Sequence, residues 1–546
     1  MTATFRFSLT NAWLLAAVLM PLTAGSQQLT LEHVLELPDG SEIIAYDPHQ
    51  DVLLVTGSAT IRTFAWDGGA AKPEAQHTIE LAETFAPRDT LRDISSVAVD
   101  PLGRGFGAAT LIPGDNGQRR GRVVFFELAT GDRLATIEAG YHPDSLTFSA
   151  DGKTVVVVNE GEFTPPEVGG GGDRDAPGSL SLINITQEDD GSTPRFVYAG
   201  DFPLVWHALE PGVTLDALRI NDPTTTQPYR HAEPEYAVVL DHRVAVAFQE
   251  NNALGVFDLR RKRWSALASL GIRPMTVDAS DQDGPTIDDD VFGLPTPDTL
   301  IAFRDPRPTE SREPLGMILA TADEGDFRVD DGDRQRVADF INASDAQFAD
   351  VQRLRVSIPD SDPNNDGRLD RVVATGTRGV SLWAVPTRGC AFAKRIGHTG
   401  SLETYLLEQD PDRHNLNSKS AVPEDDPAEQ TVDARSDDKG PEPEGLAAFP
   451  PFDHDDNPAT PARTYLLVAL ERQNGLVLID ATDPAQPTPA AYRNDLPQLA
   501  APECVIVIPR QHTPDQATRF IVAYEGNDAG QRLGLGVYRL DTTPSP

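Results

Sequence analysis

The sequence contains little cysteine and little positive charge. Only Cys390 and Cys504 are present, and their spacing fits neither a zinc ribbon nor a CxxC redox motif, so their pairing is left open. The chain has 46 Lys and Arg residues against 84 Asp and Glu residues, for a formal net charge of −38. Because nucleic acids and anionic membranes repel such a chain, neither is an expected partner.

The motifs of several enzyme classes are also absent. The sequence contains no GxSxG, HExxH or GxGxxG, and its 11 histidines are scattered rather than paired at ligand spacing. A serine hydrolase, a zinc protease or a dehydrogenase therefore has no support. Any chemistry would be metal-assisted, with carboxylates, water and cations such as Arg435 and Lys439 near an anionic substrate.

The N-terminus carries one apolar run. It extends from Ala12 to Leu22, follows the single cation Arg6 and precedes small residues. This pattern predicts a signal peptide over residues 1–26, and the run is too short to span a bilayer. No second long apolar run follows. We expect an exported monomer, periplasmic or secreted, without a membrane span.

One β-unit recurs along the rest of the chain. Each clear copy has an acidic residue, a short apolar strand, a Gly- or Asp-containing turn, a second strand and a second acidic residue. Five clear copies begin at His142, Glu233, Thr296, Glu442 and Ala501, and two weaker ones at Glu42 and Ile94. Seven stacked units predict an all-β fold, a single seven-bladed β-propeller with long loop insertions over residues 27–546. A pair of β-sandwiches is the alternative.

The recurring acidic residues are the first candidate site. One set follows a proline at the start of the first strand: Asp144, Glu235, Asp298, Glu444 and Glu503. The other set follows the second strand: Glu160, Glu250, Glu324, Glu471 and Glu525. Since first strands line the channel of a propeller, both sets are expected to face a central funnel and to recruit cations. Alternatively, they cap turns and join neighbouring units.

Two acidic loops are candidate metal sites. In "DSDPNNDGRLD", Asp362, Asn364, Asp366 and Asp370 occupy positions 1, 3, 5 and 9 of a loop with Gly367 at its bend. Alternating oxygen ligands on a tight turn suit Ca²⁺, although Val373 at position 12 excludes an EF-hand. An Asx-rich hairpin is the alternative. A weaker candidate is "DASDQDG", with Asp278, Asp281 and Asp283.

The segment "RSDDKGPEPEG", Arg435 to Gly445, concentrates charge without any apolar residue. We expect its acidic residues to hold a cation at the mouth of the funnel, while its two cations balance charge or meet an anion. These residues are Asp437, Asp438, Glu442 and Glu444, with Arg435 and Lys439. The alternative is a salt-bridged junction between repeats that binds no ligand.

A family resemblance lies in "DSDPNNDGRLD" and "RSDDKGPEPEG", together with "PDSLTFSADGKTVVVVNEGE", "EPEYAVV", "DASDQDGPTI" and "ADEGD". The sequence resembles the choice-of-anchor I family. This group of exported bacterial propellers is similar to the mesenchyme-specific cell-surface glycoproteins of biomineralising animals. The resemblance runs in order from about residue 40 to the C-terminus. Asp323 and Cys504 depart from the family pattern.

The resemblance implies a secreted or cell-surface β-propeller associated with Ca²⁺, and it supplies no catalytic residues. We expect an acidic, cation-binding funnel that is presented to a ligand or partner, either an anionic small molecule or a cell-surface partner. The alternative is a metal-dependent phosphoester hydrolase of the phytase or alkaline-phosphatase type. Whether the protein is an enzyme stays open at this point.

Overall fold

The structure is a computed structural model. It describes residues 27–37, 40–70, 72, 74–87, 89–114, 119–163, 175–187, 193–222, 224–307, 316–328, 332–387, 392–420, 432–449 and 463–542. The predicted signal peptide and Cys390 lie outside the described residues, so export stays a prediction and the pairing of Cys390 with Cys504 stays open.

Within the described residues the chain forms seven four-stranded antiparallel sheets. Strand β1 (Gln27–Glu36) belongs to the last of them. Sheet 1 comprises β2 (Ile44–Asp47), β3 (Val52–Thr56), β4 (Thr60–Ala65) and β5 (His77–Glu80). Sheet 2 comprises β6 (Leu91–Val99), β7 (Phe106–Pro113), β8 (Arg120–Glu127) and β9 (Arg133–Tyr141). Sheet 3 comprises β10 (Pro143–Phe148), β11 (Thr154–Asn159), β12 (Ser179–Thr186) and β13 (Arg195–Pro203).

Sheets 4 to 7 follow the same order, with insertions in sheet 5. Sheet 4 comprises β14 (Pro234–Leu240), β15 (Arg243–Phe248), β16 (Ala253–Asp258) and β17 (Arg263–Ser269). The intervening strands β18 (Arg273–Val277) and β19 (Asp289–Leu294) join β24 (Val373–Thr375), and β22 (Arg334–Arg336) pairs with β23 (Arg355–Ser357). Sheet 5 comprises β20 (Leu300–Arg304), β21 (Met317–Ala322), β25 (Val380–Ala384) and β26 (Arg395–His398). Sheet 6 comprises β27 (Pro443–Phe449), β28 (Tyr465–Leu470), β29 (Gly475–Asp480) and β30 (Thr488–Arg493). Sheet 7 comprises β31 (Pro502–Ile508), β32 (Arg519–Tyr524), β33 (Gly534–Thr542) and β1.

Helices are short. The α-helices are α1 (Ile358–Ser361) and α2 (Glu403–Gln409). The 3₁₀ turns are Ala82–Thr84, Trp206–Ala208, Leu215–Ala217, Pro228–His231, Val337–Asp339, Ala346–Phe348, Pro411–Arg413 and Arg510–His512. None of the helices among the described residues is long and apolar enough to cross a membrane. The prediction of an all-β fold is confirmed.

The second strands of the sheets are buried on both faces, which explains their continuous apolar runs. In β11, for example, Val155 to Val158 are all fully buried. Residues with alternating orientation along such a strand pack against the sheet before and the sheet after. An apolar core lies between each consecutive pair of sheets, and another lies between sheets 7 and 1. The insertions of sheet 5 have a separate core around Phe340, Leu354 and Leu369.

The first strands of the sheets lie beside one another. Contacts join β2 to β6, β6 to β10, β10 to β14, β14 to β20, β20 to β27, β27 to β31, and β31 back to β2. The N-terminal strand β1 pairs antiparallel with the C-terminal strand β33, from Gln27 opposite Thr542 to Glu36 opposite Gly534. The two ends of the described chain therefore complete one sheet, and the first strands surround a common space.

Gly445 allows the first strands of sheets 6 and 7 to approach each other. A Cβ atom at this position would overlap the backbone carbonyl oxygen of Glu503, which cannot rotate away as a side chain would. We expect Gly445→Ala to lower the free energy of unfolding by about 1–3 kcal/mol, as overpacking does. Urea denaturation measures the effect. The control is Gly316→Ala, where nothing lies within 4 Å of the new methyl group; equal stabilities for the two variants would contradict this account.

Candidate functional site

Every one of the seven sheets has an acidic residue at the start of its first strand. We call these the first-strand acids: Glu42, Asp93, Asp144, Glu235, Asp298, Glu444 and Glu503. Five of them were predicted from the repeat, whereas Glu42 and Asp93 were not, because they belong to the two weaker units and lack the preceding proline. Glu42 lies two residues before the start of β2 at Ile44, and this position next to a first strand could have identified it from the sequence.

The backbone at this position has a common irregularity. In β6, β10, β14, β27 and β31 the pairing with the second strand shifts its register at the acidic residue. A bulge of this kind bends the strand and changes the direction of the side chain. In four of these strands, β10, β14, β27 and β31, the residue before the acid is a proline, which has no N–H for the ladder.

The first strands enclose a cavity of about 400 Å³, which we call the central cavity. Its acidic lining consists of Glu42, Asp93, Asp144, Asp298, Glu503 and Glu525. The other wall residues include Tyr236, Leu446 and Cys504 from three different sheets. The structure thus brings together acidic residues from separate repeats, and this size suits a small ligand or several hydrated ions.

Burial and mutual repulsion raise the pKa values of the first-strand acids. The pKa of Asp144 rises to about 8 because the carboxyl is desolvated and lies near Asp298 and Asp93. The pKa of Glu42 also rises to about 8, and that of Asp298 to about 6, in both cases mainly through burial. A group of carboxyls with raised pKa values holds protons or binds a cation near neutral pH.

The acids that follow the second strands lie next to the first-strand acids; they are Glu160, Glu250, Glu324, Glu471 and Glu525. Three carboxylates from both sets form what we call the Glu235 cluster. It consists of Glu160, Glu235 and Glu250, whose ligand oxygens lie within 4.8 Å of one another. The three residues are only 8–9% exposed. One oxygen of Glu235 and one of Glu250 have no hydrogen-bond partner among the described residues. Burial and neighbouring carboxylates raise the pKa values of all three groups.

A second group of carboxylates, Glu324, Glu442 and Glu471, is neutralised by protein cations. Lys439 contacts Glu324 and lies 2.9 Å from Glu442. Arg435 lies 2.6 Å from Glu442 and Arg472 lies 3.0 Å from Glu471. Although burial opposes it, the attraction of Lys439 and Arg435 lowers the pKa of Glu442 to about 2.

Further clusters connect these groups across sheets 5, 6 and 7. Glu444 shares one cluster with Asp298 and Glu324, and another with Glu471 and Glu503. Lys419, which the sequence analysis did not single out, contacts Glu471 and lies 2.5 Å from Glu525. The predicted funnel acids are therefore brought together, but protein cations pair with four of those of sheets 5 to 7, Glu324, Glu442, Glu471 and Glu525.

Asp437 and Asp438 do not line the central cavity. Arginines from the insertions of sheet 5 bind them: Arg336 lies 2.5 Å from Asp437, and Arg355 lies 3.3 Å from Asp438. The fully buried Arg378 donates to the carbonyl oxygens of Ser436 and Asp438 at 2.9 and 2.8 Å. This part of the charged segment is a salt-bridged junction, the alternative considered from the sequence.

The loop around Asp362 is a turn stabilised by its own side chains. Asp362 accepts hydrogen bonds from the N–H groups of Asp366 and Gly367, at 3.1 and 2.7 Å. Asn364 accepts from the N–H of Asp366 at 3.0 Å and donates to Asp370 at 3.3 Å. The four predicted ligands thus share one turn, and Ca²⁺ binding there stays a prediction.

The three acids of the other predicted loop are separated. Asp281 forms an ion pair of 2.7 Å with Arg353, and Asp283 is exposed. Asp278 is buried and lies 3.0 Å from the imidazole of His414, with Asp433 beside both. Neither partner was identified from the sequence, because His414 and Asp433 are distant from Asp278 along the chain and belong to no repeat.

Comparisons with known proteins place the chain in a family. The family model of the choice-of-anchor I domain matches residues 42–484. Hydrazine synthase from Kuenenia stuttgartiensis is similar in structure, with a TM-score of 0.39 and 10% identity over 94% of this chain and 99% of that chain. The WD40 domain of coronin from Toxoplasma gondii has a TM-score of 0.43 and 9% identity over 96% of this chain and 88% of that chain.

A third similar structure is BamB from Moraxella catarrhalis, with a TM-score of 0.35 and 9% identity over 94% of this chain and 99% of that chain. A search of curated proteins gave no match. The family match covers most of the chain and includes the first strands of sheets 1 to 6. The chain belongs to the choice-of-anchor I domain family.

Proposed function

We propose that the protein is an exported seven-bladed β-propeller that binds Ca²⁺ through buried carboxylates beside its central cavity and presents the bound cation to a ligand or partner. Seven four-stranded sheets, the cores between consecutive sheets and the pairing of β1 with β33 support the propeller. The family supports an extracellular or cell-surface location. The predicted signal peptide supports export.

The Glu235 cluster is the observation that carries the cation proposal. No described lysine or arginine forms an ion pair with Glu160, Glu235 or Glu250, and the nearest basic partner is His142, 3.4 Å from Glu160. Two unit charges 4.8 Å apart repel by about 3 kcal/mol at an effective dielectric constant of about 20. Three ionised carboxylates therefore need protons or a cation.

Calcium suits this set better than a soft metal does. The cluster offers carboxylate oxygens only, and Ca²⁺ accepts six to eight oxygens in a flexible arrangement. The neighbouring carboxylates of Asp144 and Asp298 add negative potential around the cluster. Water would complete the coordination.

An anionic substrate is less well supported than a cation. Lys439, Arg435 and Arg472 are paired with Glu324, Glu442 and Glu471. Lys419 is paired with Glu471 and with Glu525, which lines the central cavity. A phosphate would have to displace these carboxylates before it could reach the cations. We therefore favour cation binding over phosphoester hydrolysis.

The experiment is Ca²⁺ titration of the EGTA-treated mature protein by calorimetry, with Glu235→Gln as the variant. We expect saturable binding to the wild type and a loss of affinity on the order of 10-fold or more in the variant, because a ligand charge is removed. The control Glu80→Gln changes an exposed residue of β5 in the same way and should bind as the wild type does. Undetectable binding to the wild type, or equal affinities for all three proteins, would contradict the proposal.

The same proteins separate binding from catalysis. Hydrolysis of p-nitrophenyl phosphate or phytate that depends on Ca²⁺ and disappears in Glu235→Gln would favour the enzyme. A variant of the loop, Asp366→Asn, reports on the other predicted calcium site. If the loop also binds Ca²⁺, Asp366→Asn should bind fewer Ca²⁺ ions per chain and keep the binding at the Glu235 cluster. This result would distinguish the loop site from the cluster site.

A further inference from the structure

A buried cluster outside the central cavity combines two carboxylates with an imidazole. Asp278 follows β18, His414 follows the 3₁₀ turn after α2, and Asp433 precedes the charged segment. One ligand atom of each residue lies within 4.8 Å of the other two. All three side chains are at most 3% exposed. Three distant parts of the chain thus converge on one point without solvent.

The hydrogen bonds of this cluster leave polar atoms without partners. Asp278 accepts from the N–H of Thr286 at 3.1 Å, and the Nε2 of His414 lies 3.0 Å from the same oxygen. Asp433 accepts from the hydroxyl of Ser436 at 2.5 Å through one oxygen only. Its other oxygen, and the Nδ1 of His414, are buried and have no hydrogen-bond partner among the described residues. Such orphaned groups are costly in a protein interior.

The two carboxylates also lie against each other. Burial raises the pKa of Asp433 to about 7, and contact with Asp278 adds to the shift. No described lysine or arginine forms an ion pair with Asp278 or Asp433, whereas Glu442 is paired with Lys439. The pair requires a proton between the carboxyls or a cation bound by them.

We propose that Asp278, His414 and Asp433 form a binding site for a divalent first-row transition metal such as Mn²⁺ or Zn²⁺. An imidazole nitrogen with two carboxylate oxygens is a ligand set for these metals, whereas Ca²⁺ and Mg²⁺ prefer oxygen alone. Of the carboxylate clusters in the described parts of the chain, this one alone contains a histidine. The separation of 3.0 Å between His414 and Asp278 suits two adjacent ligands of one ion.

The surroundings would hold the ligands in place. The Nδ2 of Asn415 lies 3.2 Å from the Nε2 of His414 and donates to Glu403 and Ser436, each at 2.7 Å. The backbone carbonyl of Asp278 accepts from Arg378 at 2.8 Å. The site therefore connects the insertions of sheet 5 to the charged segment that leads into sheet 6. A metal bound there would join these parts of the chain.

The test uses the full mature chain, freed of metal by chelation and then given Mn²⁺, Zn²⁺ or Co²⁺. We expect one equivalent of a first-row metal per chain by elemental analysis after dialysis, with nitrogen coupling to bound Mn²⁺ in pulsed electron paramagnetic resonance. His414→Gln and Asp433→Asn should each lower the affinity on the order of 100-fold. The control Asp281→Asn removes an acid of the same loop that is paired with Arg353, and it should retain the metal.

Several outcomes would overturn the proposal. One is a wild type that retains no first-row metal after dialysis, and another is an Asp433→Asn variant that retains as much metal as the wild type. The third such outcome is bound Mn²⁺ whose spectrum shows no coupling to nitrogen. If His414→Gln does not fold, the Mn²⁺ spectrum of the wild type and the metal affinity of Asp433→Asn still test the proposal. A shared proton predicts instead that Asp433→Asn keeps its stability, because the amide resembles a protonated carboxyl. Glu235→Gln should keep this metal and lose Ca²⁺, so the two proposals fail separately.

Discussion

Replacing Arg378 by Met is expected to lower the free energy of unfolding by about 3–5 kcal/mol, the usual cost of removing one partner of a buried ion pair. Arg378 and Glu403 are both fully buried, and their closest charged atoms are 2.5 Å apart. The variant leaves the carboxylate of Glu403 without its cation. It also removes the donor to the carbonyl oxygens of Asp278, Ser436 and Asp438.

Chemical denaturation of the single and double variants separates these contributions. Arg378→Met with Glu403→Gln should be less damaging than the sum of the two single changes, because neither charge is then left alone. The control is Arg353→Met, which removes partly exposed pairs with Asp281 and Asp437 and should cost no more than about 1 kcal/mol. A cost for Arg378→Met as small as that of the control would show that the junction does not depend on this pair.

Ion pairs with distant arginines explain why the charged segment was hard to interpret from sequence. The run from Arg435 to Gly445 predicted a concentration of ionised groups, and the structure places Glu442 and Glu444 in carboxylate clusters with Glu324 and Glu471. The sequence could not predict that Asp437 and Asp438 contact Arg336 and Arg355, because those arginines come from an insertion and lie 101 and 83 positions earlier than their partners. Ion pairs between distant segments leave no periodic signal in a single sequence.

Repetition made the rest of the fold predictable. Short apolar strands, turn residues and paired acids recur in each clear unit, so one interpretation of "PDSLTF" applied to five sheets. The two weaker units showed the limit, since Glu42 and Asp93 occupy the same structural position without the preceding proline. Residues outside the repeat, such as Lys419 and His414, were missed because only the folded chain brings them next to Glu471 and Asp278.

The stability of the calcium-free protein is expected to fall as the pH rises from 5 to 8. Glu42 and Asp144 have pKa values of about 8 in the folded chain, and Asp298 has a value of about 6, all above their ordinary values near 4. The folded state therefore binds more protons than the unfolded state in this range. A state that binds more protons loses relative stability as protons are withdrawn. Glu442, whose value is lowered, acts below this range. Burial lowers the pKa of His398 from 6.5 to about 4, so this group opposes the trend below about pH 6.5, and the fall is expected to be clearest between pH 6.5 and 8.

Calcium should reverse that trend, because it replaces protons that the central cavity would otherwise hold. At a free concentration of 100 times the dissociation constant, a bound ion stabilises the folded state by about 2.7 kcal/mol, and the affinity itself should increase with pH. Urea denaturation at pH 5, 6, 7 and 8, with EGTA or Ca²⁺, measures both effects. Calorimetry in buffers of different ionisation enthalpy should show protons released on binding.

Stability that rises with pH in EGTA, or a calcium effect that is the same at pH 5 and pH 8, would mean that these carboxyls do not exchange protons for the ion. Glu80→Gln should follow the wild type throughout, whereas Glu235→Gln should show a smaller calcium effect at pH 8.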